Sequence, residues 1–120
     1  MLEKTRPVGI FGTGMCLPDK VLSNADLEKM VDTSDEWIVS RTGIRARRIA
    51  PPGVNTSDLA AEAGRKALAM AGVKPEDVDL LVLGTITPDM VLPACACLVQ
   101  EKIGCKRAAA FDLTAACTGF

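Results

Sequence analysis

The stretch AAAFDLTAACTGF places a single thiol, Cys117, among alanine, threonine and glycine. The apolar run Ala108–Leu113 reads as a strand, and Thr114, Ala115 and Ala116 lead from its end into Cys117, Thr118 and Gly119. In open α/β sheets, functional groups collect at the carboxyl ends of strands. A nucleophile at a strand-to-helix turn gains exposure at a tight bend, nearby backbone N–H donors and a helix dipole that favours the thiolate. Small neighbours let a substrate approach the sulfur and let the turn close. The competing reading is an inert core cysteine, the commoner fate of this residue type, and position alone leaves both open.

Cys16, Cys95, Cys97 and Cys105 lack such a context and read as small buried apolar residues. Five cysteines form no even, spaced disulfide framework. With no C-x₂-C pair and no histidine, a zinc or iron–sulfur site is not expected. Arg41, Arg45, Arg47 and Arg48 cluster near the only tryptophan, Trp37. Guanidinium beside indole suits a nucleotide, its base stacked and its phosphates paired. A solvated charged face and a core anchor are the plainer readings of the same residues. Gly9-Ile10-Phe11-Gly12-Thr13-Gly14 resembles the start of a dinucleotide fingerprint. It is followed by Met15-Cys16-Leu17-Pro18 rather than by a helix start, so dinucleotide binding is rejected and the glycines are assigned to a strand-end turn.

The elements that must position these residues alternate. Val8–Phe11 reads as a first strand. Ser23 or Asn24 caps a short helix through Val31, and Thr33 or Ser34 caps a second carrying DEWIVSR and stopped by Gly43. IRARRIA is extended and is followed by a Pro51-Pro52-Gly53 loop. The clearest helix runs from Thr56 or Ser57 to Gly72, with Leu59, Ala63, Ala67 and Ala71 on one stripe. VDLLVLGTI, a continuous apolar run, predicts a strand buried on both faces. Pro93 opens a helix to Ile103 that Gly104 ends, and Ala108–Leu113 closes the series. This order predicts an α/β fold with a mostly parallel sheet and right-handed crossovers. No repeat, linker or domain boundary is visible between residues 1 and 120.

The bulk numbers agree. At 120 residues, 48% hydrophobic and 24% charged, the chain suits one globular domain. Its aromatics are only Phe11, Trp37, Phe111 and Phe120, so the core must be aliphatic. A net charge of −1 gives no attraction to nucleic acid or anionic lipid. No run has the length of a membrane span, and MLEKTRPVG lacks the apolar core of a signal peptide. The expected compartment is the cytoplasm.

Two stretches carry a resemblance. NADLEKMVDTSDEWIVSRTGIRARRIA, Asn24–Ala50, and FDLTAACTGF, at the separation seen here, are similar to the N-terminal part of the β-ketoacyl-acyl-carrier-protein synthase III family, condensing enzymes of the thiolase superfamily. The resemblance covers essentially the whole chain. It implies a thiolase-like fold, with residues 1–120 forming the N-terminal segment of an α-β-α layered half that is incomplete in this chain. It implies that Cys117 takes an acyl group from acyl-coenzyme A and that the acyl-enzyme condenses with malonyl-acyl-carrier protein, losing CO₂. This splits the reaction into two covalent steps. It also implies that Trp37 stacks on the adenine of coenzyme A while Thr33 and Arg41 hold the nucleotide end. Coenzyme A enters as a substrate, and no cofactor is expected.

Family members are homodimers, and Leu92 in TPDMVLP matches a position that reaches the partner's acyl pocket, where many members have Phe. At Thr118, Ala or Ser is more usual. The family's histidine and asparagine partners lie far downstream of the cysteine, and neither Asn24 nor Asn55 sits in a matching motif. The chain is therefore expected to be a segment of a longer enzyme and inactive alone. Rival readings are another superfamily member, such as a 3-hydroxy-3-methylglutaryl-coenzyme A synthase or a secondary-metabolite ketosynthase, and a non-catalytic binding or dimerisation fragment.

Overall fold

The computed structural model describes residues 8–120. Residues 1–7, on which the expectation of no signal peptide rests, lie outside them. The chain forms two compact units, one from Leu17–Val54 and the other from residues 8–16 together with Asn55–Phe120.

In the smaller unit, β1 (Val21–Ser23) runs directly into α1 (Asn24–Leu27). α2 (Asp35–Thr42) follows, and β2 (Ala46–Arg48) returns antiparallel to β1, pairing Val21 with Arg48 and Ser23 with Ala46. Local chemistry sets both helix starts. The Ser23 hydroxyl accepts from the Asp26 N–H at 3.1 Å, and the Asp26 carboxylate accepts from the Ser23 N–H at 3.1 Å. This reciprocal cap satisfies two donors that a helix start leaves free. Ser34 accepts from the Trp37 N–H at 3.1 Å and opens α2. Gly43, at φ 72°, ends it in the left-handed conformation that glycine adopts without a Cβ penalty. α1 is shorter than its expected extent to Val31. The Met30 and Val31 N–H groups both turn onto the Leu27 carbonyl, at 2.9 Å each, so the ladder closes early.

In the larger unit, α3 (Thr56–Ala71) starts after Asn55 and ends at Gly72. A single 3₁₀ turn, Pro75–Asp77, leads to β3 (Leu80–Gly84). α4 (Cys95–Ile103) then connects β3 to β4 (Ala109–Leu113), and the two strands pair in parallel from Leu80 with Ala109 to Gly84 with Leu113. This is the expected strand–helix–strand crossover. α4 packs on α3 and on both strands. The core at this junction is aliphatic and close: Ala61, Cys95, Ala96, Val99, Cys105 and Ala108 are buried. A Cβ added at Gly64 of α3 would lie 2.6 Å from the Ile103 Cδ1 of α4, so the glycine is what lets Ile103 seat there.

Four expectations are corrected. Val8–Phe11 is not a strand: it is irregular and largely exposed, and among the described residues no neighbouring strand supplies its hydrogen-bond ladder. β3 is not buried on both faces. Leu80 and Val82 face outward together with Phe111 and Leu113, while the alternate residues turn toward the helices. Gly12 and Gly14 do not serve a turn. A Cβ on Gly12 would collide with the backbone of Ala67 and Ala71, and one on Gly14 with that of Ala63 and Ala67. Their role is to let the chain lie against the alanine face of α3. The Pro93 helix start also moves by two residues, because α4 begins at Cys95.

Candidate functional site

Cys117 sits in a 3₁₀ turn, Ala116–Gly119, that begins three residues after β4 ends, and it is exposed. The entry to this turn is strained: Ala116 has φ +47°, the left-handed region that an L-alanine adopts at a cost of roughly 1 kcal/mol. Thr118 closes the bend through its N–H and its hydroxyl, which donate to the Ala115 carbonyl at 3.1 and 2.7 Å. Gly84, the last residue of β3, is what makes room beside it. A Cβ there would lie 3.2 Å from the Gly119 carbonyl oxygen. A small, exposed thiol on a strained bend at the carboxyl end of a parallel strand can attack an approaching carbonyl carbon.

The strand carrying the bend is locked to α4. Asp112 accepts from the Cys95 and Ala96 N–H groups at 2.7 Å each, one carboxylate oxygen to each donor. These donors have no partner within the helix, so a carboxylate from the neighbouring strand satisfies them and also meets the positive end of the helix dipole. Leu92 lies in the segment between β3 and α4. Val91 and Leu92 are 94% and 85% exposed, an apolar tip on an anchored base. Asp89 provides the anchor: it accepts from the Ser57 N–H at 2.9 Å, from the Ser57 hydroxyl at 2.5 Å and from the Cys95 thiol at 3.3 Å. Lys102 donates to Ser57 Oγ and to Asp58 Oδ1, at 2.6 Å each.

The titration of this network follows from its contacts. Burial works to raise the Asp89 carboxyl, but hydrogen bonds from Ser57 and Cys95 outweigh it and leave the group below its usual value. The hydrogen bond from Lys102 lowers Asp58. Burial pushes the Cys95 and Cys105 thiols up, which fits their reading as core residues rather than nucleophiles.

Thr33, Trp37 and Arg41 come together in the smaller unit. Trp37 is 56% exposed, and the Arg41 guanidinium, one helical turn on, lies 5.2 Å from its ring centroid. Such stacking is worth about 0.5–1 kcal/mol at an exposed site. Thr33 lines an open depression of about 330 Å³ with Asp32, Ser34 and Trp37. Arg47 and Arg48 of the basic cluster are engaged otherwise, Arg47 by Asn24 and Arg48 by the Pro18 and Asp19 carbonyls. Among the described residues no group of three or more Cys, Asp or Glu is arranged to hold a metal ion, and no helix is long and apolar enough to cross a membrane.

Asn24, Asp89, Asp112, Gly84 and Ala116 are absent from the sequence-derived set of site residues. Asp112 carried a signal, a lone carboxylate inside an apolar strand, which must find a partner if buried. Asn24, Asp89 and Gly84 act through contacts with residues distant in the chain, and Ala116 through a backbone angle that its residue type does not announce.

No family model matches the chain. A Symbiobacterium thermophilum protein, beta-ketoacyl-[acyl-carrier-protein] synthase III, is 62% identical over 117 residues, which are 98% of this chain and 36% of that protein. A protein of the same name from Caldanaerobacter subterraneus is 59% identical over 120 residues, 100% of this chain and 36% of that protein. The crystal structure of 3-oxoacyl-[acyl-carrier-protein] synthase III from Aquifex aeolicus superposes with a TM-score of 0.86 at 51% identity, over 92% of this chain and 36% of that one. The priming β-ketosynthase of the R1128 polyketide pathway gives the same TM-score at 39% identity, over 92% of this chain and 33% of that one. The chain thus spans about a third of the length of the curated relatives it matches. The likeness extends over nearly all of it, in sequence and in a thiolase-like α/β fold.

Proposed function

We infer that this chain is the segment of a β-ketoacyl-acyl-carrier-protein synthase III that carries the nucleophile and a nucleotide-facing surface. The whole enzyme condenses an acyl-coenzyme A with malonyl-acyl-carrier protein and so initiates fatty-acid synthesis. The observation that carries this reading is the exposed thiol of Cys117 on a strained bend at the end of β4, in a chain 62% identical to a synthase of that name.

In the first step the Cys117 thiolate attacks the thioester carbonyl carbon of acyl-coenzyme A. A carbon–sulfur bond forms to Cys117, the bond to coenzyme A breaks, and coenzyme A leaves as the thiolate, which takes up the proton that Cys117 gave up on becoming the nucleophile. The small side chains around the sulfur leave room for the tetrahedral intermediate. In the second step malonyl-acyl-carrier protein loses CO₂, and the resulting carbanion attacks the acyl-enzyme, returning the Cys117 thiolate. The histidine and asparagine that the resemblance assigns to this second step have no counterpart in the 120 residues, so this chain alone supports no turnover.

Substrate binding follows from the smaller unit. Trp37 offers its indole to the adenine, and the acceptors of Asp32 and Thr33 suit the amino group of a purine better than a phosphate. Arg41, stacked beside the ring, meets the phosphates. Coenzyme A is a substrate here, and the reaction as written needs no cofactor. The enzyme acts in the cytoplasm as a homodimer, with the apolar tip at Leu92 reaching the partner's acyl pocket.

The test uses the full-length enzyme. Incubation with acetyl-coenzyme A, followed by peptide mass spectrometry, is expected to place an acetyl group on Cys117, and Cys117→Ala is expected to remove both adduct and activity. An unmodified Cys117, or activity that survives Cys117→Ala, overturns the reading.

A further inference from the structure

Asn24 is almost fully buried, at 1% exposure, and every polar group of its side chain is used. Its amide nitrogen donates to Asp35 Oδ1 at 2.7 Å and to the Ile44 carbonyl at 2.8 Å. Its carbonyl oxygen accepts from the Arg47 guanidinium. Its backbone N–H donates to the Arg45 carbonyl at 3.1 Å. One residue therefore ties α1, the first residue of α2 and strand β2 to a common point.

Only an amide meets this demand: two donors aimed at a carboxylate and a carbonyl, and an acceptor aimed at a guanidinium. Aspartate would set lone pairs against Asp35 and Ile44, and an apolar residue would leave three polar groups without their partner. Asp35 is held a second time, since its N–H donates to Glu28 Oε1 at 2.6 Å. The segment 28–35 is closed at both ends by these bonds. That segment, with Trp37, forms the depression lined by Asp32, Thr33 and Ser34.

We propose that Asn24 is a positioning residue for the nucleotide end of coenzyme A. Through Asp35 it fixes the start of α2, and thereby the direction in which Trp37 and Arg41 meet the substrate. The inference rests on the reading of Thr33, Trp37 and Arg41 given above. It makes no contribution to the chemistry at Cys117, so its effect is confined to substrates that carry the nucleotide.

Steady-state kinetics of the full-length enzyme test it, with acetyl-coenzyme A compared against acetyl-pantetheine, which has the same thioester and no nucleotide. Asn24→Ala is expected to raise KM for acetyl-coenzyme A by about five-fold, the scale of one lost buried hydrogen bond, with kcat and the KM for acetyl-pantetheine held within two-fold. Asp35→Ala removes the same bond at an exposed side chain and carries the test if Asn24→Ala does not fold. In a Trp37→Ala background either change is expected to add nothing, because it acts through the ring. A parallel rise in both KM values, or full additivity with Trp37→Ala, overturns the proposal. If Trp37→Ala raises KM for acetyl-coenzyme A while Asn24→Ala and Asp35→Ala do not, the proposal alone fails. If Trp37→Ala is itself without effect, the nucleotide reading fails first and the proposal with it.

Discussion

Ala116 is the only non-glycine residue with positive φ among the described residues, and it immediately precedes the exposed thiol. Backbone strain of this kind persists only where surrounding contacts overdetermine it. Here the Thr118 bonds to the Ala115 carbonyl hold the bend, and Gly119 takes the space that a Cβ on Gly84 would fill. Replacing Ala116 by valine puts a branched Cβ into the left-handed region. It is expected to destabilise the full-length enzyme by about 1–2 kcal/mol in urea denaturation and to slow acylation. Ala116→Gly is expected to leave stability unchanged or slightly raised, since glycine adopts this φ freely. A Val variant as stable and as active as the parent would count against strain at this bend. The cysteines divide in the same way. Under native conditions iodoacetamide is expected to label Cys117 in the absence of substrate, whereas Cys95 and Cys105, buried and with thiols pushed up by burial, are expected to label only after unfolding. Labelling of Cys95 at the rate of Cys117 would show that the α3–α4 junction opens.

Elements are held here by caps and close approaches, and these differ in how plainly the sequence shows them. Asp112→Ala is expected to cost about 1–2 kcal/mol, the scale of a lost N-terminal cap, and to loosen the strand that carries Cys117. Gly14→Ala is expected to cost about 1–3 kcal/mol, because the new methyl meets the α3 backbone at Ala63 and Ala67 and one segment must move. Both are read from denaturation midpoints. The α1 start adds a pH dependence. Hydrogen bonds from the Ser23 side chain and backbone, then from Lys29, lower Asp26 to about 2. That value lies below the unfolded carboxyl near 3.9. Its stabilisation is thus complete above about pH 4 and is lost as pH falls through 2. Ser23→Ala is expected to flatten that part of the stability curve. The caps at Ser34, Gly43, Gly72 and Gly104 were legible because each involves residues three to five apart, a spacing that the chain displays directly. The job of Gly12 and Gly14 was not, because their partners lie some fifty residues away and no local pattern distinguishes a close approach from a turn. Asn24 was hidden in the same way. At the site itself, Cys117 stood out through its small neighbours and the strand before it. The clearance at Gly84 depends on how β3 and β4 pair, and the strained entry at Ala116 is a backbone angle that alanine does not signal.

Among the described residues, the larger unit covers one face of its sheet with α4, on which α3 packs, and leaves the other apolar. Leu80 and Val82 of β3 and Phe111 and Leu113 of β4 point to that bare face, with Val82 directly opposite Phe111, each between 38% and 55% exposed. Sequence reading assigned VDLLVLGTI to a doubly buried strand. The composition that prompted it is real, and the described residues supply a cover for only one side. Complete burial of such a side chain is worth about 1.5–3 kcal/mol. The unburied half of four of them therefore amounts to roughly 3–6 kcal/mol, set against a domain stability of about 5–15 kcal/mol in all. A deficit of that size consumes much of the margin of a chain this short. The 120-residue polypeptide alone is accordingly expected to bind an apolar dye such as anilinonaphthalene sulfonate, to unfold without a cooperative transition and to form no β-ketoacyl product. The full-length enzyme, whose relatives are nearly three times as long, is expected to exclude the dye and unfold cooperatively. Dye exclusion and a sharp melting transition by the 120-residue chain would mean that its exposed sheet face is stable uncovered, and the deficit argued from these four residues would be wrong.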